Sequence, residues 1–238
     1  MGAIGLEASG FKPRPRRRLI RGLALLLIVS GVLLLVDVAV TLVWQEPVTA
    51  GLGLIERTQI NRHWLSYRSA PLSAVESRIV AAIVNQRQEL AFLARREQRG
   101  LRTGEAVGRL SIPSIGVSFL VVQGTDSTSL EKGPGHYPST ALPGLDRTVA
   151  IAGHRTTFLA PFRHLDALRA GEKIVLGMPY GRFVYTVQYH RVVSPTAWWI
   201  TRNAGYDRLV LSACDPLFSA SHRLVVFARL TRLPVPVS

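Results

Sequence analysis

A run of 23 mostly apolar residues, Gly22 to Trp44, limits what the N-terminal part of this chain can fold into. At 1.5 Å per helical residue, such a run is long enough to cross about 30 Å of hydrocarbon as a transmembrane helix. Six basic residues and one acidic residue precede it, which predicts a cytoplasmic tail over residues 1–21 and an extracytoplasmic remainder. A cleaved signal peptide is the competing interpretation, but its apolar core would normally have only about 7–15 residues. We therefore expect a single-pass plasma-membrane protein with an uncleaved anchor over residues 22–44.

Residues 45–105 have the pattern of an extracytoplasmic helical stalk. Ser73 and Glu76 form a capping-box signature for a helix start, and apolar residues then recur at near-helical spacing as far as Gly100. One continuous helix of 26 residues would be about 39 Å long. It could pair with another helix, but Gln86 would interrupt the apolar seam. We expect a spacer that lifts the following domain off the membrane.

The sequence pattern changes near Val107, where short β-rich runs begin to alternate with turns rich in Gly and Pro. We expect one domain over residues 106–232, of common domain size, and a C-terminal tail over residues 233–238. Many short strands with turn signals predict a mostly β fold, either a closed antiparallel barrel or a sandwich. The predicted strands are Val107–Ile112, Val117–Val122, Thr148–Ala152, Lys173–Met178, Phe183–Val193, Arg208–Ala213 and Leu224–Leu230, with one short helix at Pro161–Leu168.

The formal net charge is +14, and a basic chain can bind nucleic acid. Here the densest basic cluster adjoins the apolar run and the other arginines are scattered, so membrane topology explains the charge better, and we expect no nucleic-acid partner. The sequence has no His-Glu-x-x-His and no Cys-x-x-Cys pattern. We therefore expect neither a metal site nor a cofactor.

Three residues at the ends of predicted strands form a candidate catalytic set: His154, Cys214 and Arg223. One predicted strand ends on Cys214 and is followed by an Asp-Pro pair, and another ends in Gly-His. Arg223 lies at the start of the strand that follows the cysteine loop. Acyl transfer needs a thiolate to attack a carbonyl, an imidazolium to protonate the leaving amine and a fixed cation to hold the oxyanion. Cys214 is the only cysteine, which excludes an intramolecular disulfide and leaves either a functional thiol or a small buried hydrophobe.

The residues and the order of several motifs resemble those of the sortase family over nearly all of residues 107–230. The matching stretches are Arg109–Gly116, Val122–Thr125, Gly133–Pro138, Gly153–Thr157, Pro161–Leu168, Cys214–Pro216 and Arg223. The intervals of 60 residues from His154 to Cys214 and nine from Cys214 to Arg223 also fit the family. Gly-His-Arg-Thr-Thr looks most like class E sortases of high-GC Gram-positive bacteria, whereas His-Arg-Leu-Val-Val also resembles the pilin-polymerising class. The resemblance implies a closed eight-stranded β-barrel in which His154, Cys214 and Arg223 meet at one end of a substrate groove.

That resemblance also implies an activity, a membrane-anchored cysteine transpeptidase. The enzyme would cleave an LPxTG-like or LAxTG-like sorting signal between Thr and Gly through a thioacyl intermediate. Its partners would be proteins with C-terminal sorting signals, and the acceptor would be an amine of a cell-wall precursor or a pilin. Two rival hypotheses are a secreted cysteine hydrolase or peptidase, and a catalytically weak interaction module with a sortase fold.

Three further residues are candidates for contact with the substrate. His136 and Tyr137 lie in a Gly-Pro-Gly-His-Tyr-Pro loop, and Ala213 stands where the family usually has a hydroxyl residue before the cysteine. Asp215 follows the cysteine where many class E sequences have histidine. Because a carboxylate that pointed at a thiolate would disfavour it, we expect Asp215 to face solvent or Arg223.

Overall fold

The computed structural model describes residues 15–43, 49, 51–55, 58, 61, 64 and 71–234. The chain forms two compact units, residues 1–44 and 45–238. The first contains helix α1, Pro15–Val43. Its stretch Leu19–Thr41 has a mean hydropathy of 2.8 and none of it is buried, so the helix has the length and composition of a membrane span or of an N-terminal signal sequence. Most of the predicted cytoplasmic tail and of the C-terminal tail lies outside the described residues.

Helices α2, Ala74–Ala82, and α3, Gln86–Gly100, lie directly before the barrel in the chain. The predicted capping box is present at the start of α2: the Glu76 N–H donates to the Ser73 hydroxyl and the Ser73 N–H donates to the Glu76 carboxylate. Such reciprocal bonds satisfy two backbone donors that a helix start would otherwise leave unpaired. Residues 51–55 are also helical.

The single 26-residue helix predicted for this region is wrong. The backbone leaves the helical region at Ile83 and a new helix begins after Asn85. The Asn85 side chain accepts hydrogen bonds from the N–H groups of Arg87 and Gln88. Asparagine favours this N-cap geometry over a helix interior because its side chain competes for nearby backbone donors.

The spacer interpretation also needs correction for α3, because this helix packs onto the barrel. Leu90 and Ala94 are 1% and 0% exposed, and they belong to the same apolar cluster as Leu110 and Phe183 of the barrel wall. Burying a leucine side chain contributes about 1.5–3 kcal/mol. Helix α3 is therefore part of the core of the second unit.

The barrel is closed and its eight strands, numbered β1 to β8 along the chain, are Ala106–Ile112, Val117–Gln123, Gly135–His136, Thr148–Gly153, Lys173–Met178, Gly181–Val193, Arg208–Asp215 and His222–Arg232. Around the barrel they follow the order β1-β2-β3-β4-β7-β8-β6-β5. Seven strands were predicted, and the eighth, β3, has only two residues. Pairs β2–β3 and β4–β7 are parallel and the other six are antiparallel, so the sheet is mixed instead of purely antiparallel.

Short helical turns complete the domain. Helix α4 spans Ser127–Lys132, and 3-10 turns lie at Pro113–Ile115, Leu165–Ala167 and Trp198–Thr201. The helix predicted at Pro161–Leu168 is thus only a three-residue 3-10 turn at Leu165–Ala167.

The parallel pair β4–β7 positions the candidate site. In this pair Gly153 is in register with Ala213, so the carboxyl ends of the two strands lie at the same end of the barrel. His154 and Cys214 each come one residue later. Along β7, Leu209, Leu211 and Ala213 contribute to the main interior cluster. Because successive side chains alternate, Cys214 projects from the outer face of the wall.

Candidate active site

Cys214 and Arg223 are direct partners in the antiparallel pair β7–β8. Directly opposite residues of such a pair project from the same face of the sheet. Cys214 is partly exposed. The strand ladder therefore brings a thiol and a guanidinium to one face of one barrel end.

The Arg223 guanidinium rests on the β7–β8 connection. Its Nη1 donates to the carbonyl oxygens of Ala220, at 3.0 Å, and His222, at 2.9 Å. Both bonds engage one nitrogen, and a guanidinium has further N–H donors to offer an oxyanion. His222 pairs with Asp215 and lies on the opposite face of β8 from Arg223, as strand alternation predicts.

His154 follows the last residue of β4, one position after the Gly153–Ala213 register pair, and is half-buried. Its ring packs against Phe158 with 5.3 Å between the ring centroids. Its Nε2 is buried and has no hydrogen-bond partner among the described residues. Burial lowers the pKa of His154 below its usual value of 6.5, and the negative charge of Glu131 partly opposes that shift. The neutral imidazole is therefore the main form at neutral pH.

The loop that follows His154 has an unusual backbone. Phe158, Leu159 and Ala160 have φ angles of 49°, 64° and 40°, three consecutive non-glycine residues in the left-handed region. Each costs on the order of 1–2 kcal/mol. The Phe158 N–H donates to the Thr49 hydroxyl at 3.2 Å, and strain of this kind is concentrated at functional sites.

Arg155 connects the histidine loop to the cysteine strand. Its side chain is only 4% exposed, and its Nη1 donates to Asp215 Oδ1 at 2.7 Å and to the Cys214 carbonyl oxygen at 3.4 Å. Its Nη2 lies 3.2 Å from Asp166 Oδ1. The expectation that Asp215 faces solvent or Arg223 is wrong, because Arg155 holds this carboxylate.

Tyr137 lies on the outer face of the wall beside the candidate catalytic residues. Its ring packs against the outer apolar cluster that includes Ala150 and Val210. Its hydroxyl is 3.1 Å from the Ser212 hydroxyl. Ser212 is two residues before Cys214 and therefore lies on the same face of β7, so the two hydroxyls and the thiol share one surface.

His136 and Ala213, the other two candidates for substrate contact, face the interior. His136 is 1% exposed, and its Nδ1 is 2.8 Å from Gln123 Oε1 while its Nε2 is 3.0 Å from the Ala141 carbonyl oxygen. Burial lowers the pKa of His136 to about 4. Ala213 is 2% exposed and belongs to the interior cluster, so its methyl group points away from the face that carries Cys214. A role for either residue in substrate binding stays a prediction.

The sequence did not identify three residues that the structure brings to this site: Arg155, Ser212 and Phe158. Arg155 stands directly after the histidine and Ser212 two positions before the cysteine, so strand alternation could have indicated Ser212. No group of His, Cys, Asp and Glu that could hold a metal ion occurs within the part of the chain that the structure describes.

Comparison with known proteins gives a consistent result. A family model described as "Sortase domain" matches residues 110–231, about half of the 238-residue chain. The chain is 32% identical over 131 residues to Sortase D of Bacillus subtilis, covering 53% of this chain and 65% of that protein. It is similar to the structure of sortase E from Streptomyces avermitilis, with 32% identity and a TM-score of 0.51, covering 57% of this chain and 93% of that one.

A second structural relative carries a ligand. Sortase E1 from Streptomyces coelicolor, solved with a tripeptide in the active site, is 26% identical with a TM-score of 0.53, covering 56% of this chain and 91% of that one. The match covers between 43% and 65% of the length of the curated relatives, which is less than two thirds.

Proposed function

This chain belongs to the sortase family, and on that premise we propose that it is a membrane-anchored cysteine transpeptidase with His154, Cys214 and Arg223 as its catalytic set. The observation that carries the proposal is the register at one barrel end. Cys214 is the cross-strand partner of Arg223, and His154 follows the residue that is in register with Ala213. A thiol, an imidazole and a guanidinium on adjoining strand ends can perform acyl transfer without a metal.

The first step is attack of the Cys214 thiolate on the Thr carbonyl carbon of a sorting signal. A C–S bond forms and the negative charge moves to the carbonyl oxygen, where Arg223 can donate N–H groups to it. When the intermediate collapses, the Thr–Gly C–N bond breaks. The His154 imidazolium gives its proton to the departing Gly amine, which leaves a thioester and a neutral imidazole.

The second step resolves the thioester. An acceptor amine, from a cell-wall precursor or a pilin, attacks the thioester carbon and gives its proton to the neutral His154. The C–S bond then breaks and the thiolate is restored. Because burial lowers the pKa of His154, only a minor fraction of the enzyme holds thiolate and imidazolium together, and turnover should be slow.

The donor motif is proposed as an LPxTG-like or LAxTG-like signal. The motif Gly153–Thr157 and the similarity to sortase E structures favour class E, whereas the match to Sortase D has the same 32% identity as that to sortase E of Streptomyces avermitilis. A comparison of both donor motifs therefore also tests the class.

The test uses the full chain in detergent with each donor peptide, with and without triglycine, and mass spectrometry of the products. We expect a triglycine adduct of the donor and a thioacyl mass on the protein, both absent from Cys214→Ala. That variant should stay folded because a small residue replaces a partly exposed one. Hydrolysis alone would indicate a cysteine hydrolase, and neither product nor thioacyl mass would indicate an interaction module.

The topology is a separate proposal. The basic residues before α1 and the length of its apolar stretch support a cytoplasmic N-terminus and an extracytoplasmic barrel. N-terminal sequencing of the protein from membranes should find the start of the chain intact. A mature N-terminus near Gly51 would show instead that α1 is part of a cleaved signal peptide.

A further inference from the structure

Arg155 is the most buried charged side chain beside the candidate catalytic residues, at 4% exposure. A buried guanidinium is strongly disfavoured unless carboxylates and hydrogen bonds compensate for the lost water. Here Asp215 and Asp166 supply the compensation, with side chains that are 24% and 60% exposed. The structure thus places a desolvated cation between the histidine loop and the cysteine strand.

Asp215 is the residue next to Cys214 in the chain, so its charge lies near the thiol. A carboxylate within a few ångströms of a thiolate disfavours the ionised thiol. In β7 the two side chains project from opposite faces, because Cys214 is opposite Arg223 and Asp215 is opposite His222. Arg155 pairs with Asp215 at 2.7 Å on that far face.

We propose that Arg155 is a positioning residue that neutralises Asp215 and holds the Cys214 strand end to the His154 loop. The inference rests on the proposed role of Cys214 as the nucleophile. Nη1 bonds both the Asp215 carboxylate and the Cys214 carbonyl oxygen, whereas Nη2 pairs with Asp166. The rigid guanidinium of Arg155 therefore holds the backbone of Cys214 and neutralises the charge of the neighbouring Asp215 carboxylate.

Several other charged or titratable groups belong to the elements at this end of the barrel and also act on the response of the thiol to pH. Arg223 and His222 lie on β8, His154 follows β4, Asp166 lies in the 3-10 turn and Glu131 in α4 acts on His154. Because these groups are common to wild type and variants, a comparison between them isolates the contribution of the Arg155–Asp215 pair.

The test exploits the single cysteine of the chain. Alkylation by iodoacetamide, followed by intact mass, reports Cys214 alone and needs no transpeptidation. For Arg155→Met we expect the pH of half-maximal alkylation rate to rise by about 0.5–1 unit, because Asp215 loses its partner. For Asp215→Asn it should fall, because Asp166 is then the one carboxylate that still pairs with the Arg155 guanidinium. The double variant should return close to the wild-type value.

Two further variants separate charge from geometry. Arg155→Lys keeps the charge, so its alkylation midpoint should stay near wild type, but a point charge cannot bridge three acceptors and kcat should fall about tenfold. Arg169→Met removes an exposed arginine from the following loop and should change neither quantity.

Asp215→Asn keeps the shape of the side chain, so it tests the proposal even if Arg155→Met does not fold. Wild-type alkylation profiles in both single variants would overturn the proposal, and so would a double variant that stays folded without recovery. If the profiles shift as expected but wild type transfers no peptide, the proposed transpeptidation fails, whereas the effect of the Arg155–Asp215 pair on the Cys214 thiol stands.

Discussion

Cys214 of β7 and Arg223 of β8 are directly opposite each other in an antiparallel ladder whose pairing is unbroken from Arg208 to Asp215. The irregularities in the barrel wall lie elsewhere, in β1–β2 near Gly108 and in β6–β8 around Tyr185 and Tyr189. A slip of one residue would bring His222 opposite the thiol and turn the guanidinium to the other face. The closed barrel therefore fixes which cation shares a face with the cysteine.

Arg223→Lys should reduce kcat/KM for transpeptidation by about a hundredfold or more. A lysine keeps the charge at this register position but cannot reproduce the planar fork that suits an oxyanion. Steady-state kinetics with a sorting-signal peptide and triglycine measures the loss. Arg229→Lys is the matched control, since Arg229 lies on the same strand over the Tyr206 ring, six residues further along. Near-wild-type turnover of Arg223→Lys would remove Arg223 from the catalytic set.

Gly153→Ala should impair the enzyme through the position of His154. A Cβ at Gly153 would lie 2.5 Å from Cδ2 of the fully buried Phe162 ring, so the ring or the strand end must move. We expect a loss of about 1–3 kcal/mol in unfolding free energy and a fall in kcat of about tenfold or more.

A second substitution tests this steric reason. Gly153→Ala combined with Phe162→Leu should recover part of the lost kcat, because leucine vacates the space of the ring. Gly177→Ala is the control, since its Cβ would make only an ordinary 3.8 Å contact with the Arg109 carbonyl oxygen. If the double variant is no better than Gly153→Ala, the loss has another origin.

The longer strands and the strand ends that carry the candidate catalytic residues were predictable because each leaves a local signal. The seven longer strands have β-rich runs between turns, and His154 and Cys214 stand where such runs end. Strand β3 has two residues and no run, so local pattern could not find it. The parallel pairing of β4 with β7 depends on the path of the whole chain.

Long-range contacts are the part that sequence pattern missed. The interaction of Arg155 with Asp215 joins residues 60 positions apart, and nothing local at Asp215 indicates which cation it meets. The break at Ile83 was missed because helical spacing of apolar residues continues through it. The helix ends there because Asn85 caps a new helix and Leu90 of that helix packs into the barrel core.

His136 should make the stability of the domain decrease in acid. Its pKa is lowered from 6.5 to about 4 by burial, against a smaller opposing effect of the Ala141 carbonyl. Between pH 6.5 and 4, His136 is therefore protonated in the unfolded chain but largely neutral in the folded chain. This contribution is complete above pH 6.5 and is lost as the pH falls towards 4, by up to about 3 kcal/mol. Urea unfolding across this range measures it.

His136→Gln removes the titrating group and should have a shallower pH dependence than wild type over the same window. Asp207 also contributes to the pH dependence of stability in this range, because burial raises the pKa of its carboxyl to about 6. Its contribution has the opposite sign: it is present below pH 3.8 and is lost as the pH rises through 6. Asp207→Asn should therefore steepen the acid loss. A His136→Gln curve parallel to wild type would contradict the assignment.

Ala213→Thr should change the transpeptidation rate by no more than about tenfold, equivalent to about 1.4 kcal/mol of barrier. Ala213 is 2% exposed and faces the interior cluster, so an added hydroxyl would point away from the thiol. It should instead lower the unfolding free energy by about 1–3 kcal/mol through overpacking.

Ser212→Ala is the variant to compare with Ala213→Thr, because the Ser212 hydroxyl shares the face of Cys214 and contacts Tyr137. We expect Ser212→Ala to reduce activity more than stability. Acylation measured from pH 5 to 10 should be bell-shaped in both variants, with limbs that belong to the cysteine–histidine pair. A hundredfold gain from the threonine would show that a hydroxyl at position 213 reaches the nucleophile after all.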